Sequence, residues 1–227
     1  MALNQYTLTQ KKKLTSDIYE LIYEAKDLFK FTPGQFITFI LPNIGGRAYS
    51  VLEIQGNQLT LIIKKWLQKD GGRGGSQYIC NQEVGSSLSG THPAGHFLLQ
   101  KTENNKLFIG TGTGFVPLYN QILSAVKRKS EHKIVLLFGS RTSQDLFYRE
   151  ELEELSKKYE NFDYQIYLSR EKDTPHNIGY VTEYLSPQNI EQFQEFYICG
   201  APQVIESSME ILQKNNISED SIFHEKY

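Results

Sequence analysis

Gly110-Thr111-Gly112-Thr113-Gly114, followed by Phe115-Val116-Pro117, is the stretch of this 227-residue chain best suited to holding a phosphate. An apolar run, Leu107-Phe108-Ile109, leads into it, and a helix-compatible segment follows. Glycines let backbone approach a pyrophosphate closely. A helix start then offers free N–H groups and the positive end of the helix dipole. Gly110, Gly112 and Gly114 are the candidate cradle, with Thr113 as a hydroxyl donor. Pro117 fits the first helical turn, where its missing N–H costs nothing. The third glycine of the GxGxxG dinucleotide pattern would fall at Phe115, so the run departs from that pattern.

A second group lies earlier. Arg47 offers a planar fork of donors suited to a phosphate. Only six of the 24 basic residues are arginines, so a filler charge here would more often be lysine. Tyr49, two residues on along a strand, shares its face and presents an aromatic surface. Ser50 adds a small hydroxyl. In Gly72-Arg73-Gly74-Gly75-Ser76, Ser76 reads as a helix N-cap whose following N–H groups could hold an anion.

Two halves must position these residues. Up to about residue 100 the chain reads as short strands: Tyr6–Lys12, Ile18–Tyr23, Gln35–Leu41, Ala48–Ile54, Gln58–Lys65 and Ser87–Gly90. Turn signals such as Pro33-Gly34, Gly45-Gly46 and Gly56-Asn57 separate them. That pattern predicts an antiparallel β-barrel. After residue 103, strands and helices alternate. Strands at Leu107–Ile109, Lys133–Phe138, Phe162–Leu168 and Glu195–Cys199 interleave with helices at 117–128, 149–158, near Val181–Leu185, and at 202–214. This predicts an α/β doubly wound parallel sheet that binds a nucleotide. The expected domains are 1–102 and 103–227, divided at the polar stretch Lys101–Asn105.

No apolar run approaches the ~20 residues of a membrane span, mean hydropathy is −0.44, and the N-terminus lacks a signal pattern. A cytoplasmic protein is expected. Residues 1–102 carry 11 Lys+Arg and 7 Asp+Glu, a charge of +4, whereas residues 103–227 carry 13 and 19, a charge of −6. This is too weak a basic balance for nucleic-acid binding. Two cysteines, Cys80 and Cys199, cannot ligate a ferredoxin-type cluster. His92, His96, His132, His176 and His224 share no spacing, and Glu150–Glu154 reads as an acidic helical turn. No metal site is expected.

The landmarks Arg47-Ala48-Tyr49-Ser50, Gly72–Ser76, Gly110–Pro117, Phe138-Gly139-Ser140-Arg141, Cys199-Gly200 and Glu225-Lys226-Tyr227 occur in this order across both halves. Together they resemble the ferredoxin–NADP reductase family, which includes cytochrome and oxygenase reductases. The resemblance covers essentially the whole chain.

It implies that the barrel binds a flavin through Arg47, Ala48, Tyr49 and Ser50, with Ser50 reaching the ring nitrogen that receives hydride. Ile62, Ile63 and Lys64 line the flavin, and Gly74, Gly75 and Ser76 hold its pyrophosphate. The RGGS form at residues 73–76 also occurs in members that bind the mononucleotide FMN. Pro93-Ala94-Gly95-His96-Phe97 looks like the PxGxF segment of the dinucleotide members, so FAD is favoured. Gly110–Pro117 takes the pyrophosphate of the nicotinamide nucleotide. Ser169 and Arg170 match the pair that holds a 2′-phosphate, and Ser140 and Arg141 stand where NAD-binding relatives carry an acid. NADPH is therefore preferred over NADH, although the second basic residue that many NADPH-using relatives carry after Cys-Gly is missing. Cys199 and Gly200 lie near the reacting nicotinamide, Cys199 as a neighbour rather than a nucleophile. Glu225 and Tyr227 match the plant-type ending, in which Tyr227 would cover the flavin face.

The activity so implied is hydride transfer between NAD(P)H and FAD, with single electrons passed to a separate carrier such as ferredoxin or flavodoxin. Two alternatives stand beside it: an NAD(P)H:flavin reductase that releases reduced flavin, and an electron-transfer subunit of a larger complex. The charge split and the group Lys64, Lys65, Lys69 and Arg73 point to an acidic protein partner.

Overall fold

The computed structural model describes residues 3–27, 30–128 and 132–226. Contacts divide the chain into two compact units, Met1–Leu98 and Leu99–Tyr227.

The first unit is built from β1 (Asn4–Lys13), β2 (Ile18–Ala25), β3 (Phe36–Leu41), β4 (Gly45–Gln55), β5 (Gln58–Lys64), the short helix α1 (Gly75–Cys80) and β6 (Ser87–Gly90). The strands close into an antiparallel barrel in the order β1-β2-β5-β4-β3-β6. Alternation drives this: Tyr6 and Leu8 of β1, Leu21 and Tyr23 of β2, and Ile37 and Phe39 of β3 are all fully buried. Closure removes exposed sheet edges. Register shifts between Leu8 and Gln10 and between Val51 and Glu53 supply local bends. At the centre, the Phe39 ring meets Tyr6 edge-on at 5.6 Å and Tyr23 at 5.1 Å.

The second unit runs β7 (Lys106–Thr111), α2 (Phe115–Val126), β8 (Ile134–Ser140), α3 (Arg149–Lys158), β9 (Phe162–Leu168), β10 (Asn177–Ile178), α4 (Pro187–Ile190), β11 (Glu195–Gly200), α5 (Pro202–Lys214) and β12 (Ile222–Lys226). Its all-parallel sheet has the order β10-β9-β8-β7-β11-β12. β7 and β11 are apolar runs buried on both faces, as a sheet covered on both sides requires. Tyr197 of β11 stacks between Phe108 of β7 and Phe223 of β12, at 4.8 and 4.9 Å. The order reverses between β7 and β11, which makes the C-terminal ends of these two strands the topological switch point.

Several local boundaries differ from the sequence reading. α2 begins at Phe115 and ends at Val126, so Pro117 is its third residue rather than its first. Pro117 still lies in the first turn, where no N–H has an intrahelical acceptor. Val181–Tyr184 is a single 3₁₀ turn. Two edge strands, β10 and β12, are additional. In β12, Glu225 and Lys226 pair with Cys199 and Gly200.

Residues 99–105 are bonded into the second unit. Gln100 N–H donates to the Tyr197 hydroxyl at 3.0 Å. The Glu195 carboxylate accepts from Thr102 Oγ1, from Asn104 Nδ2 and from the Tyr197 hydroxyl. Buried Lys106 sits 3.5 Å from Glu195 and donates to the Thr102 and Asn104 carbonyls. Burial pulls the Lys106 ammonium below its ordinary pKa, while Glu195 opposes the shift. Among the described residues no helix is long and apolar enough to cross a membrane.

Candidate functional site

On the barrel, Arg47 and Tyr49 share one face of β4, and both close on Gly75. A Cβ at Gly75 would sit 2.6 Å from Arg47 Cγ and 3.1 Å from the Tyr49 hydroxyl. Ala48 faces solvent, and Ser50 is buried. Arg47 donates to its neighbour Gly46 O at 2.8 Å and to Arg73 O at 3.3 Å. Its Nε is buried without a partner in the protein. A buried guanidinium donor left unpaired is costly, so the site suits an anion. Burial raises the Tyr49 hydroxyl above its ordinary pKa, which keeps it neutral.

The helix start corrects one expectation. Gly74 is the N-cap, with φ 80° and ψ −23°, a left-handed conformation that favours glycine. Ser76 lies inside the first turn, and its Oγ accepts from Trp66 N–H at 3.0 Å. It therefore ties α1 to the segment after β5 instead of capping the helix. Because the left-handed residue sits at Gly74, the helix starts earlier than Ser76. Beside this turn opens a cavity of about 450 Å³, lined by Arg47, Arg73, Gly74, Gln77, Tyr78 and Asn81 among others.

In β5, Ile63 joins the barrel core, and Ile62 is buried on the opposite face. Ile63 could therefore reach a ligand only through its backbone. Lys64 is 3.1 Å from Asp17, and Lys65 donates to Asn81 at 2.7 Å. Half-exposed Trp66, which the sequence reading passed over, takes the Lys64 ammonium over its ring at 5.7 Å.

In the second unit, Gly112–Gly114 form a 3₁₀ turn that feeds α2, and Gly112 has φ 53°. Gly114 packs directly on β11: a Cβ there would strike the Cys199 carbonyl and lie 2.6 Å from Gly200 Cα. Phe115, where the dinucleotide pattern has its third glycine, is fully buried against Tyr119, Phe138 and Phe147. Close approach has thus moved one residue earlier. Thr111 Oγ1 accepts from Ala201 N–H at 3.2 Å, and Gly200, at φ 149°, sits against that hydroxyl. The two loops interlock at the switch point. Thr113 is half-buried beside them. Cys199 is fully buried between Gly110 and Glu225 in register, which suits packing and not nucleophilic attack. Tyr227 lies outside the described residues.

Further along the same strand ends, Ser140-Arg141 and Ser169-Arg170 stand abreast after β8 and β9. Exposed Tyr180, unsignalled in the sequence except by its place after Gly179, follows β10 at this edge. The structure thus brings Gly110–Gly114 and Gly200 together at the switch point, and the two Ser-Arg pairs together beyond it. Arg47, Tyr49 and Gly74–Ser76 form their own group on the barrel.

A family model described as "Oxidoreductase NAD-binding domain" matches residues 108–210. Ferredoxin–NADP reductase B of Sorangium cellulosum is 31% identical over 169 residues, covering 72% of this chain and 68% of that protein. The electron transfer component of toluate 1,2-dioxygenase from Pseudomonas putida is 25% identical, covering 98% of this chain and 67% of its own length. The chain spans 62% of the propane 2-monooxygenase reductase component of Rhodococcus jostii, which is 26% identical and covers 97% of this chain. Among solved structures, the Amycolatopsis cytochrome P450 reductase GcoB superposes with a TM-score of 0.89 at 21% identity, covering 99% of this chain and 69% of that one. Ferredoxin-NADP+ reductase from Plasmodium falciparum does so at 0.78 and 22%, covering 98% and 95%.

Proposed function

Because the chain belongs to the ferredoxin–NADP reductase family, we propose that it is an NAD(P)H-dependent flavoprotein reductase that passes single electrons to a separate protein. The carrying observation is the unpaired, buried Nε of Arg47 beside the left-handed turn at Gly74. This arrangement fits a flavin pyrophosphate, and the adjoining cavity leaves room for more of a dinucleotide, which favours FAD over FMN. A flavin held by Arg47 and the Gly74-Gly75 turn would supply an acceptor for hydride from reduced nicotinamide and a source of single electrons.

The protein's own groups bind and orient. Arg47 and the Gly74-Gly75 turn hold phosphate, and neutral Tyr49 offers its ring and a hydrogen bond. Ser50 supplies a hydroxyl for the ring nitrogen that receives hydride. Gly110–Gly114 cradle the nicotinamide nucleotide's pyrophosphate, Cys199 and Gly200 shape the neighbouring wall, and Glu225 lies in register with Cys199. The oxidised protein should be yellow, keep its colour through desalting, release FAD on denaturation and bleach on addition of NADPH. Release of FMN alone, or a colourless folded protein, contradicts this reading.

NADPH is the proposed donor, with Arg170 and Arg141 meeting its 2′-phosphate. In Arg170→Ala, kcat/KM for NADPH should fall about tenfold while NADH changes by less than about twofold. Equal use of the two nucleotides by the unaltered protein would remove the preference.

The acceptor is proposed to be an acidic carrier protein of the ferredoxin or flavodoxin kind. Lys64 and Lys65 are engaged by Asp17 and Asn81, so Lys69 and Arg73 are the charges best placed to steer it. Its reduction rate should fall as ionic strength rises, and Lys69→Glu should flatten that dependence. A salt-independent rate argues for a neutral or small-molecule acceptor. The names of the relatives also support a role as a component serving an oxygenase, in which case the acceptor is that oxygenase's own partner protein.

A further inference from the structure

Beyond the ends of β8 and β9 the two chains stay in register. Ser169 N–H donates to Ser140 O at 3.1 Å, and Arg170 N–H donates to Arg141 O at 2.9 Å. Ser169 Oγ also reaches the Ser140 carbonyl at 3.4 Å. Both arginines are exposed, and neither forms an ion pair among the described residues.

Glu171 follows Arg170 in the chain, but no ion pair among the described residues joins the two, and the Glu171 carboxylate turns to the loop after β8. Glu171 Oε2 accepts from Ser143 N–H at 2.6 Å. Ser143 belongs to a turn that is itself fixed, because the Asp145 carboxylate accepts from Thr142 N–H at 3.2 Å and from Thr142 Oγ1 at 2.8 Å. Glu171 therefore ties the loop after β9 to a hydrogen-bonded turn after β8. Arg141 and Arg170 both lie on the short chain lengths between these anchors.

We propose that Glu171 is a positioning residue for nucleotide selectivity: its carboxylate staples the two loops so that Arg141 and Arg170 stand together to clasp a 2′-phosphate. This rests on the NADPH reading. Two effects of the carboxylate oppose each other. Its charge repels a phosphate, whereas its bond to Ser143 holds the arginines that attract one. A carboxylate oxygen engaged by a short amide bond, with the guanidinium beside it left free, favours the second effect. A glutamine keeps an acceptor oxygen without the charge, so the two effects can be separated.

The test is calorimetric binding of 2′-phospho-AMP and AMP to the full chain, its Glu171→Ala variant and its Glu171→Gln variant, with melting curves for each. The staple predicts that Glu171→Ala loses about tenfold in 2′-phospho-AMP affinity with AMP within about twofold, and that Glu171→Gln stays near the unaltered protein. Tighter 2′-phospho-AMP binding in both variants means that the carboxylate only repels, and overturns the proposal. Equal loss of both ligands in Glu171→Ala means general loop damage, and does the same. Should Glu171→Ala not fold, Ser143→Pro, which removes the N–H that Glu171 accepts and keeps the carboxylate, decides instead: a selective loss of about tenfold in 2′-phospho-AMP affinity upholds the staple, and unchanged affinity rejects it. If the unaltered protein does not distinguish the two ligands, the NADPH reading itself fails and this inference goes with it. If it distinguishes them and Glu171→Ala leaves the ratio intact, only the role of Glu171 is wrong.

Discussion

Gly114→Ala is expected to weaken nicotinamide-nucleotide binding by about 100-fold while flavin retention stays unchanged. Backbone conformation is not the reason, since Gly114 has φ −59° and ψ −19°, which alanine adopts readily. Space is the reason. The added methyl would strike the Cys199 carbonyl and lie 2.6 Å from Gly200 Cα, and both are backbone that no rotamer change can move. Either the C-terminal end of β11 shifts or the 3₁₀ turn at Gly112–Gly114 swings out. Each displaces N–H groups proposed to hold the pyrophosphate, and losing one or two charge-assisted hydrogen bonds of about 1.5–3 kcal/mol each suffices for a loss of this size. Overpacking should also cost about 1–3 kcal/mol of stability in this unit. Gly112→Ala is the contrasting control. Its φ of 53° strains alanine, but nothing lies within 4 Å of the added Cβ, so the cost is about 1–2 kcal/mol of backbone strain. Titration with NADPH and a melting curve on each variant check both. Unaltered nucleotide affinity in Gly114→Ala would detach this turn from nucleotide binding.

The same glycine run shows what a sequence can and cannot disclose. Strand, glycine turn and helix were legible because each has a local signature: the apolar run Leu107–Ile109, three glycines, and the helix-compatible segment that follows Pro117. The six barrel strands were legible because inward residues alternate and turn residues punctuate them. Which glycine makes the closest approach was not legible, because Gly114 is constrained by β11, whose residues lie far along the chain. The helix start at Gly74 was misread for a related reason. Serine is a good cap by type, but the left-handed conformation at Gly74 fixes the start, and Ser76 is occupied by Trp66 N–H. Lys106 gave no sign of burial, since a lysine at a strand start usually marks a solvated edge. Its burial depends on Glu195, Thr102 and Asn104 converging in three dimensions. β12 was hidden for want of an apolar stripe, because an edge strand pairs on one side only.

Arg47→Ala should weaken flavin retention by about 10- to 150-fold, which corresponds to the loss of one charge-assisted phosphate contact of about 1.5–3 kcal/mol. Two bonds of Arg47 go to backbone carbonyls, Gly46 O and Arg73 O, and these set the guanidinium plane without neutralising its charge. A further donor, Nε–H, is buried and unmatched in the protein. A group held by two bonds with its Nε–H kept from water is preorganised, so little ordering entropy is lost on binding an anion. Arg47→Lys separates charge from geometry. It keeps the positive charge but not the fork, and it should fall between the unaltered protein and Arg47→Ala. Loss of the bond to Arg73 O will also loosen the turn that ends at Gly74, so part of the effect in Arg47→Ala belongs to the turn. Arg73→Ala keeps that carbonyl and removes only a side chain on the cavity wall, so it should retain more flavin than Arg47→Ala. Equilibrium dialysis against free FAD, with fluorescence of the released flavin as the readout, ranks the three variants. If Arg47→Ala keeps its colour through the same desalting as the unaltered protein, the phosphate is held elsewhere and the barrel site has to be redrawn.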